Sequence, residues 1–333
     1  METTWWARRV LKSDSNLVIV DLSLENLREA QAGLAEIAVR TPLIPLALHE
    51  IFPHEVRLKA EHLQPIGAFK LRGAWTAVRR LSAEARARGV VTSSSGNHGL
   101  GIAYSAQQHG IRAVIVMPEN APTIKVDGVR RMGGEVVLIG KVRGPEQTAE
   151  AERLAAGGLA LIPPFDHPDV MAGQASCAIE ILEEWPEVRT IVSPVGGGGL
   201  LAGTCAAVRA LRDDVNIVAV EPASIPKLSR ALAANTPVTL DPGTSLADGL
   251  LTRSVGDLTW PIIRDMVRDV VAVTDPEIRE ALRWLGSLGH RVEPSGAVTT
   301  AAMLSGKISP VGPTALICSG GNVDPERYAE LMA

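Results

Sequence analysis

TIVSPVGGGGLLAGTCAAVR, residues Thr190 to Arg209, joins an apolar β-branched run, four consecutive glycines and an Ala/Leu-rich stretch of helical character. Glycine loses more backbone freedom on folding than any other residue, so four in a row are costly to order. A tight strand-to-helix turn needs only one or two. The excess makes sense if bare backbone N–H groups converge on an anion at the N-terminus of the following helix. A phosphate group is the natural guest.

Three kinds of phosphate compound can be weighed from motif physics. A nucleoside triphosphate loop requires Lys and then Ser or Thr after the last glycine, and Leu200–Leu201 stand there instead. A dinucleotide fingerprint G-x-G-x-x-A is met by Gly197, Gly199 and Ala202, with Glu221 at the end of the next apolar run, where an acid would hold a ribose. The third candidate is a phosphorylated cofactor such as pyridoxal phosphate, which needs a lysine elsewhere for a Schiff base.

Composition narrows the class. A chain of 333 residues with 46% hydrophobic residues can build a large core and predicts two domains. The net charge of −4 shows no basic bias toward nucleic acid or an anionic membrane. Cys177, Cys205 and Cys318 are widely spaced, which reads as buried reduced thiols in a cytoplasmic protein. METTWWARRVLKSDSNLVIV lacks the cleavage signature of a secretion signal, and no apolar run reaches membrane-spanning length. Residues 1–16 read as a loose arm, and Trp5–Trp6 receive no role.

Short β-branched runs alternate with helical patterns. Strands are expected at Gly89–Thr92, Ala113–Met117, Glu135–Ile139, Leu159–Ile162, Thr190–Val195, Asn216–Val220, Val270–Thr274 and Thr314–Cys318. After Lys70, the residues Leu71, Ala74, Trp75, Val78 and Leu81 fall on one helix face. Two further helical segments cover Gly99–His109 and Pro276–Leu288. Alternation of this kind predicts an α/β fold, with a parallel sheet covered by helices on both faces. With no low-complexity linker, a second domain is expected as an insertion: 87–166 as a small α/β domain within a large domain of 1–86 plus 167–333.

Ligands of such sheets sit at the carboxyl ends of the strands. At those ends stand Ser93 to Gly99 (SSSGNHG), the glycine run, and Ser319 to Asn322 (SGGN), with Val292 to Ala297 (VEPSGA) after a further strand and its helix. Each can turn backbone N–H groups and small hydroxyls toward an anion.

Seven lysines are present, and Lys12, Lys59, Lys125, Lys141, Lys227 and Lys307 lie among polar or turn residues, as solvated lysines do. Lys70 differs: it follows Phe69 and the Pro65–Gly67 turn and opens an amphipathic helix. Desolvation there favours the neutral amine, the form that attacks an aldehyde. The alternative is a surface lysine with its stem laid along apolar neighbours.

Together the segments are more specific than any one. Q-P-I-G-A-F-K-L-R-G-A (Gln64 to Ala74), S-S-G-N-H-G (Ser94 to Gly99), V-G-G-G-G-L (Val195 to Leu200) and S-G-G-N occur in the order in which the chain resembles fold type II pyridoxal-phosphate enzymes. Within them it is similar to the threonine/serine dehydratase and serine racemase branch, from about Leu22 onward. A-G-Q (Ala172 to Gln174) and A-D-G (Ala247 to Gly249) are further landmarks.

The resemblance implies a tryptophan-synthase-β-like fold with pyridoxal 5'-phosphate as cofactor and an amino acid as substrate, in a homodimer or higher homo-oligomer. It implies that Lys70 binds the cofactor aldehyde with Phe69 against the ring. Asn97 would bond the ring 3-hydroxyl, Gly196, Gly197, Gly198, Gly199 and the Leu200 N–H the phosphate, and Ser319 would face the pyridine nitrogen. The loop of Ser94, Ser95, Gly96, Asn97 and His98 would receive the substrate carboxylate. The implied activity is dehydration of a β-hydroxy amino acid, L-threonine or L-serine, to a 2-keto acid and ammonia, with Lys70 as base at Cα. Racemisation, with Ser95 as acid/base on the opposite face, and 3-hydroxyaspartate dehydration are the alternatives on the same scaffold.

Some residues depart from the family pattern. Ile66-Gly67-Ala68-Phe69-Lys70 stands where Thr-Gly-Ser-Phe-Lys is usual, which removes two hydroxyls. Members that bind a divalent cation pair a glutamate with a second acid a few residues on, whereas here Glu221 is followed by Lys227, so no metal is expected. The chain ends soon after S-G-G-N without room for a regulatory domain, which suggests a catabolic or specialised role. A nicotinamide dehydrogenase using Gly197, Gly199, Ala202 and Glu221 is the rival of a different class, and it leaves Lys70 and S-S-G-N-H-G unexplained.

Overall fold

The computed structural model of the protein describes residues 8–13, 16–121, 123–142 and 144–333. The chain opens with a hairpin of β1 (Arg8–Ser13) and β2 (Asn16–Asp21), then α1 (Leu24–Ala32), β3 (Leu43–Leu46), β4 (Val56–Ala60), α2 (Lys70–Arg79) and α3 (Ala83–Arg88). Alternating units come next: β5 (Val90–Ser93), α4 (Asn97–Gln108), β6 (Ala113–Met117), α5 (Thr123–Arg131), β7 (Glu135–Leu138), α6 (Pro145–Ala156) and β8 (Ala160–Leu161). The long α7 (Pro168–Glu184) leads into β9 (Thr190–Pro194), α8 (Gly199–Leu211), β10 (Asn216–Pro222) and α9 (Lys227–Ala234). Then come α10 (Trp260–Met266), β11 (Asp269–Val273), α11 (Asp275–Ser287), α12 (Pro294–Leu304), β12 (Thr314–Cys318) and α13 (Pro325–Met332).

Two main sheets result. The larger runs β11-β10-β9-β12-β4-β3, parallel except for β3, which pairs antiparallel with β4 at the edge. Its inner strands β9 and β12 are buried at every position, as continuous apolar runs covered on both faces must be. One face is filled by residues of α1, α7, α8 and α10, the other by residues of α11, α12 and α13. The smaller sheet runs β7-β6-β5-β8, all parallel, and draws only on residues 90–161. Thus all eight strands expected from the sequence are present.

Register decides what meets what. Thr314 of β12 lies beside both Val56 of β4 and Thr190 of β9, so β4, β12 and β9 end at one rim. From it emerge the segment that leads to Lys70, the S-G-G-N turn and the glycine run. In the smaller sheet Val90 of β5 is registered with Ala160 of β8, which brings the S-S-G-N-H-G loop beside the chain leaving β8. Helix α2 joins the two sheets by packing on both α4 and α7. A Cβ on Gly101 of α4 would lie 3.0 Å from Ala74 and 3.3 Å from the Lys70 carbonyl, so the two helices cross closely beside Lys70.

Two expectations are corrected. The loose arm is, over Arg8–Ser13, a strand paired with Asn16–Asp21, because Leu11, Val18 and Val20 fall on one face and pack into the core under α7 and α8. Trp5–Trp6, with the rest of 1–7 and 14–15, lie outside the described residues. Lys59 and Lys227 are not solvated but fully buried. Lys59 is drawn in by Glu180, which its Nζ meets at 2.7 Å. Lys227 lies near Glu221, and its Nζ donates to the Leu250 carbonyl at 3.1 Å. Burial pushes that ammonium down to about 8, against the opposing pull of Glu221. Among the described residues, no helix is long and apolar enough to cross a membrane.

Candidate active site

The glycine run explains its own length. Gly198 is the N-cap of α8 and sits at φ +101°, a left-handed conformation that side chains disfavour. A Cβ on Gly197 would overlap the Phe165 ring, and one on Gly199 would lie 3.0 Å from the Phe165 backbone. The turn is fixed from behind: Thr259 Oγ1 and the Gly256 N–H both donate to the Gly197 carbonyl, at 2.9 and 3.0 Å. Its first intrahelical bond is Ala202 N–H to Gly198 carbonyl, so the N–H groups of Gly199, Leu200 and Leu201 precede any acceptor within the helix. Beside Gly196, the buried Thr252 hydroxyl oxygen has no hydrogen-bond partner. An anion at the mouth of this turn would use all of these groups.

Lys70 is the first residue of α2 and is half-buried. Its Nζ lies 5.1 Å from the centre of the Phe69 ring and donates to the Pro164 carbonyl at 2.5 Å. The Phe69 N–H donates to the Ser319 carbonyl at 3.1 Å, and Ala68 bridges Gly320, so the S-G-G-N turn and the lysine are held as one unit. Ser319 Oγ donates to the Ser295 carbonyl at 3.2 Å. The residues on either side of Lys70's amine therefore come from β4, β8 and β12.

The S-S-G-N-H-G loop caps α4. Ser94 and Ser95 are half-buried, Gly96 is the N-cap, and the Gly96 N–H donates to Ser94 Oγ at 3.3 Å. Asn97 anchors a chain of amides: its Nδ2 donates to Glu293 Oε1 at 2.7 Å, while its Oδ1 accepts from Asn322 Nδ2 at 2.9 Å. Asn322 Nδ2 also donates to the Ile66 carbonyl at 2.7 Å. His98 points inward to the Ile162 carbonyl, Nε2 to oxygen 3.0 Å. Burial, then the Lys70 charge, pushes its imidazole down to about 3, so it is neutral. Only the backbone of His98 is available to an anion at this helix terminus.

Three carboxyl groups complete the picture. Glu293, buried beside Gly320, is pushed up to about 8 by burial and by Asp248, against Lys125 and the Asn97 bond. Asp166 is pushed up to about 6, chiefly by burial, although the N–H groups of Leu258 and Thr259 donate to it at 2.9 and 3.1 Å. Glu221, the acid a dinucleotide would need, is fully buried and already accepts from Leu228 N–H, Ser229 N–H and Ser229 Oγ at 2.8, 3.0 and 2.6 Å. It has nothing left to offer a ribose.

The sequence motifs are thus joined through shared neighbours, Pro164 and Phe165 between Lys70 and the glycine run and Glu293 and Asn322 at Asn97, and the sequence assigns no role to Pro164, Phe165, Glu293 or Asn322. The strand-end rule could have found Phe165, since it follows β8 as S-S-G-N-H-G follows β5. A cavity of about 910 Å³ opens on the Ile66 and Asn322 side of this group, lined by Gln64, Ile66, Leu100, Arg131, Glu293 and Asn322 among others; Lys70, the glycine run and the Ser94–Ser95 pair are not part of its lining.

Comparison with known proteins agrees with this geometry. The sequence profile described as pyridoxal-phosphate dependent enzyme matches residues 34–320. L-threonine ammonia-lyase of Thermotoga maritima is 37% identical over 306 residues, covering 91% of this chain and 76% of the relative. L-threo-3-hydroxyaspartate ammonia-lyase of Saccharomyces cerevisiae is 37% identical over 308 residues, covering 92% and 94%. Among solved structures, maize serine racemase superposes with a TM-score of 0.88 at 36% identity, covering 93% of this chain and 96% of that one.

Proposed function

The chain belongs to the pyridoxal-phosphate dependent enzymes, and on that premise we propose that it removes water from a β-hydroxy amino acid, L-threonine or L-serine, and releases a 2-keto acid and ammonia. What supports this reading is the set of contacts that joins a half-buried lysine, a glycine cradle and an amide-rich helix terminus: Pro164 on Lys70, Phe165 beside Gly197 and Gly199, and Asn322 on both Asn97 and the Ile66 carbonyl. The reaction lies between residues 87–166 and the domain formed by 1–86 with 167–333. A division there is supported by the separate sheet of 90–161.

The residues present fit the cofactor. The Gly196–Leu200 turn and the unpartnered Thr252 hydroxyl suit a phosphate, and Phe69 offers its ring beside an amine able to bind an aldehyde. Asn97, with both ends of its amide fixed by Glu293 and Asn322, keeps a second Nδ2 hydrogen that would serve a ring hydroxyl. Bound pyridoxal phosphate supplies a sink for the electron pair left when a proton leaves the substrate's Cα.

The chain's own residues do the rest. Lys70, once its amine is released to the cleft, takes the proton from Cα. Its Pro164 carbonyl partner and the Phe69 ring hold that amine at the mouth of α2. The N-terminal turn of α4 receives the substrate carboxylate on backbone N–H groups, with the Ser94 and Ser95 hydroxyls beside them. Ser319 carries no charge to place against a ring nitrogen, which leaves the sink modest and favours expulsion of the β-hydroxyl. His98, held neutral, adds no charge beside the carboxylate.

Racemisation is the second reading, supported by the half-buried Ser95 beside the N-cap of α4. Keto acid, ammonia and product enantiomer measured with L-threonine, L-serine, 3-hydroxyaspartate and phenylserine test the proposal. Ammonia and keto acid from threonine or serine are expected; enantiomer exchange without either would refute dehydration. Ser95→Ala should slow enantiomer exchange more than ammonia release, and equal loss would assign Ser95 to substrate binding.

A further inference from the structure

Behind the glycine cradle lies a second polar site that the proposed reaction does not use. Glu221 ends β10 with both carboxylate oxygens turned into the first turn of α9, where they accept from Leu228 N–H, Ser229 N–H and Ser229 Oγ. One residue earlier, Lys227 opens that helix, and its fully buried side chain crosses to the Leu250 carbonyl at 3.1 Å. Leu250 closes the short turn Asp248–Leu250. That turn is a wall of the cradle: a Cβ on Gly196 would stand 3.5 Å from the Gly249 carbonyl oxygen, 3.7 Å from Leu250 and 3.7 Å from Thr252 Oγ1. The same turn is tied on its other side by Gly249 N–H to Ser295 Oγ at 3.0 Å.

The Leu250 carbonyl accepts from the Lys227 ammonium, and the nearby Glu221 carboxylate favours the charged form of that amine. Members of the family that bind a divalent ion beside such a glutamate add a second acid, and here Lys227 stands in its place. The site does not fit a metal, because an ammonium already holds the Leu250 carbonyl and a divalent ion beside it would be repelled. Among the described residues, no group of three or more His, Cys, Asp or Glu side chains stands ready to hold a metal.

We infer that the Lys227 ammonium is a tethered internal cation that ties the first turn of α9, itself capped by Glu221, to the Leu250 carbonyl and thereby holds the wall of the phosphate cradle without a divalent ion. Lys227 is a positioning residue, since it acts on the cofactor through the 248–252 turn. A cation carried on the chain is present at full occupancy whatever the surrounding metal concentration, so cofactor retention is uncoupled from divalent ions.

The test measures pyridoxal phosphate dissociation from the purified full chain by fluorescence titration, with thermal melting in parallel. In the unsubstituted protein, EDTA, magnesium, calcium and manganese are expected to leave both the dissociation constant and the melting temperature unchanged. Lys227→Ala should weaken cofactor binding roughly tenfold, the worth of one charged hydrogen bond. Ethylammonium chloride should restore most of that affinity, while sodium chloride at equal ionic strength should not. Chelator sensitivity of the unsubstituted protein, or a divalent ion retained stoichiometrically after desalting, would overturn the inference even if the variant failed to fold. So would a Lys227→Ala protein of native affinity, or one that ethylammonium leaves unimproved. None of these readouts depends on which amino acid is turned over.

Discussion

Lys70 and Arg72 stand two residues apart in the first turn of α2, yet they enter opposite environments. Arg72 is fully buried and spans two carboxylates: Nε and Nη2 donate to Glu61 at 2.7 Å each, and Nη1 and Nη2 donate to Glu180 at 2.7 and 2.8 Å. Lys59 adds Glu180 at 2.7 Å and the Thr41 carbonyl at 2.6 Å. Burial alone would push the Glu61 carboxyl up, but Arg72, Lys59 and Thr41 outweigh it and hold the group below its usual range. Two cations and two anions cancel, and the cluster is closed. The cleft side of the same helix is the reverse: Glu293 and Asp166 are pushed up, His98 is pushed down, and the Thr252 hydroxyl is unpartnered. Polar groups satisfied by each other build a rigid platform; those left incompletely matched are where a ligand supplies what is missing.

That contrast can be broken at either end. The largest effect belongs to Lys70→Ala, which removes the base and the covalent anchor. Turnover should fall at least about 10²–10⁴-fold, the worth of a positioned general base, and the yellow colour of the bound cofactor should vanish while the melting profile changes little. Retained turnover would exclude Lys70 as the essential base.

Arg72→Met should do the opposite. It leaves Glu61 and Glu180 buried with Lys59 as the one remaining cation of the cluster and Thr41 and Gln64 as neutral donors, a loss of about 3–5 kcal/mol of stability by urea unfolding. Unfolding at unchanged urea concentration would show that the cluster is not closed by Arg72.

The smallest effect sharpens the comparison through pH. Folding raises the Glu293 carboxyl from 4.5 to about 8, so between those values the folded chain holds a proton that the unfolded chain has lost. Stability should therefore fall as pH rises through that window. Glu293→Gln keeps an acceptor for Asn97 and should flatten that slope; an unaltered slope would place the carboxyl's titration elsewhere.

Much of the site was legible in the chain because its signals are local. The glycine run, the Pro-Ile-Gly turn before Lys70 and the S-S-G-N-H-G loop each encode a backbone shape within a few residues, and every expected strand forms where β-branched runs stand. The buried cation network was not legible. Lys59 sits in V-R-L-K-A-E, which reads as a polar stretch, and Glu180, 121 residues away, together with the Thr41 carbonyl makes its burial tolerable. Lys227 escapes in the same way, preceded by Pro226 in what reads as a turn and served by a carbonyl 23 residues on. The N-terminal hairpin escaped because its core-facing residues, Leu11, Val18 and Val20, gain meaning only once α7 lies beneath them.

Sequence by itself determined the alternation of strands and helices, the cradle, the lysine and the family to which they point, since these rest on backbone preferences and short spacings. Tertiary structure alone decided which charges are neutralised and which are left perturbed. Arg72 meets Glu180 across 108 residues and Asn97 meets Glu293 across 196. Burial and partnership are properties of the packed chain, and the energy of a charge depends on both.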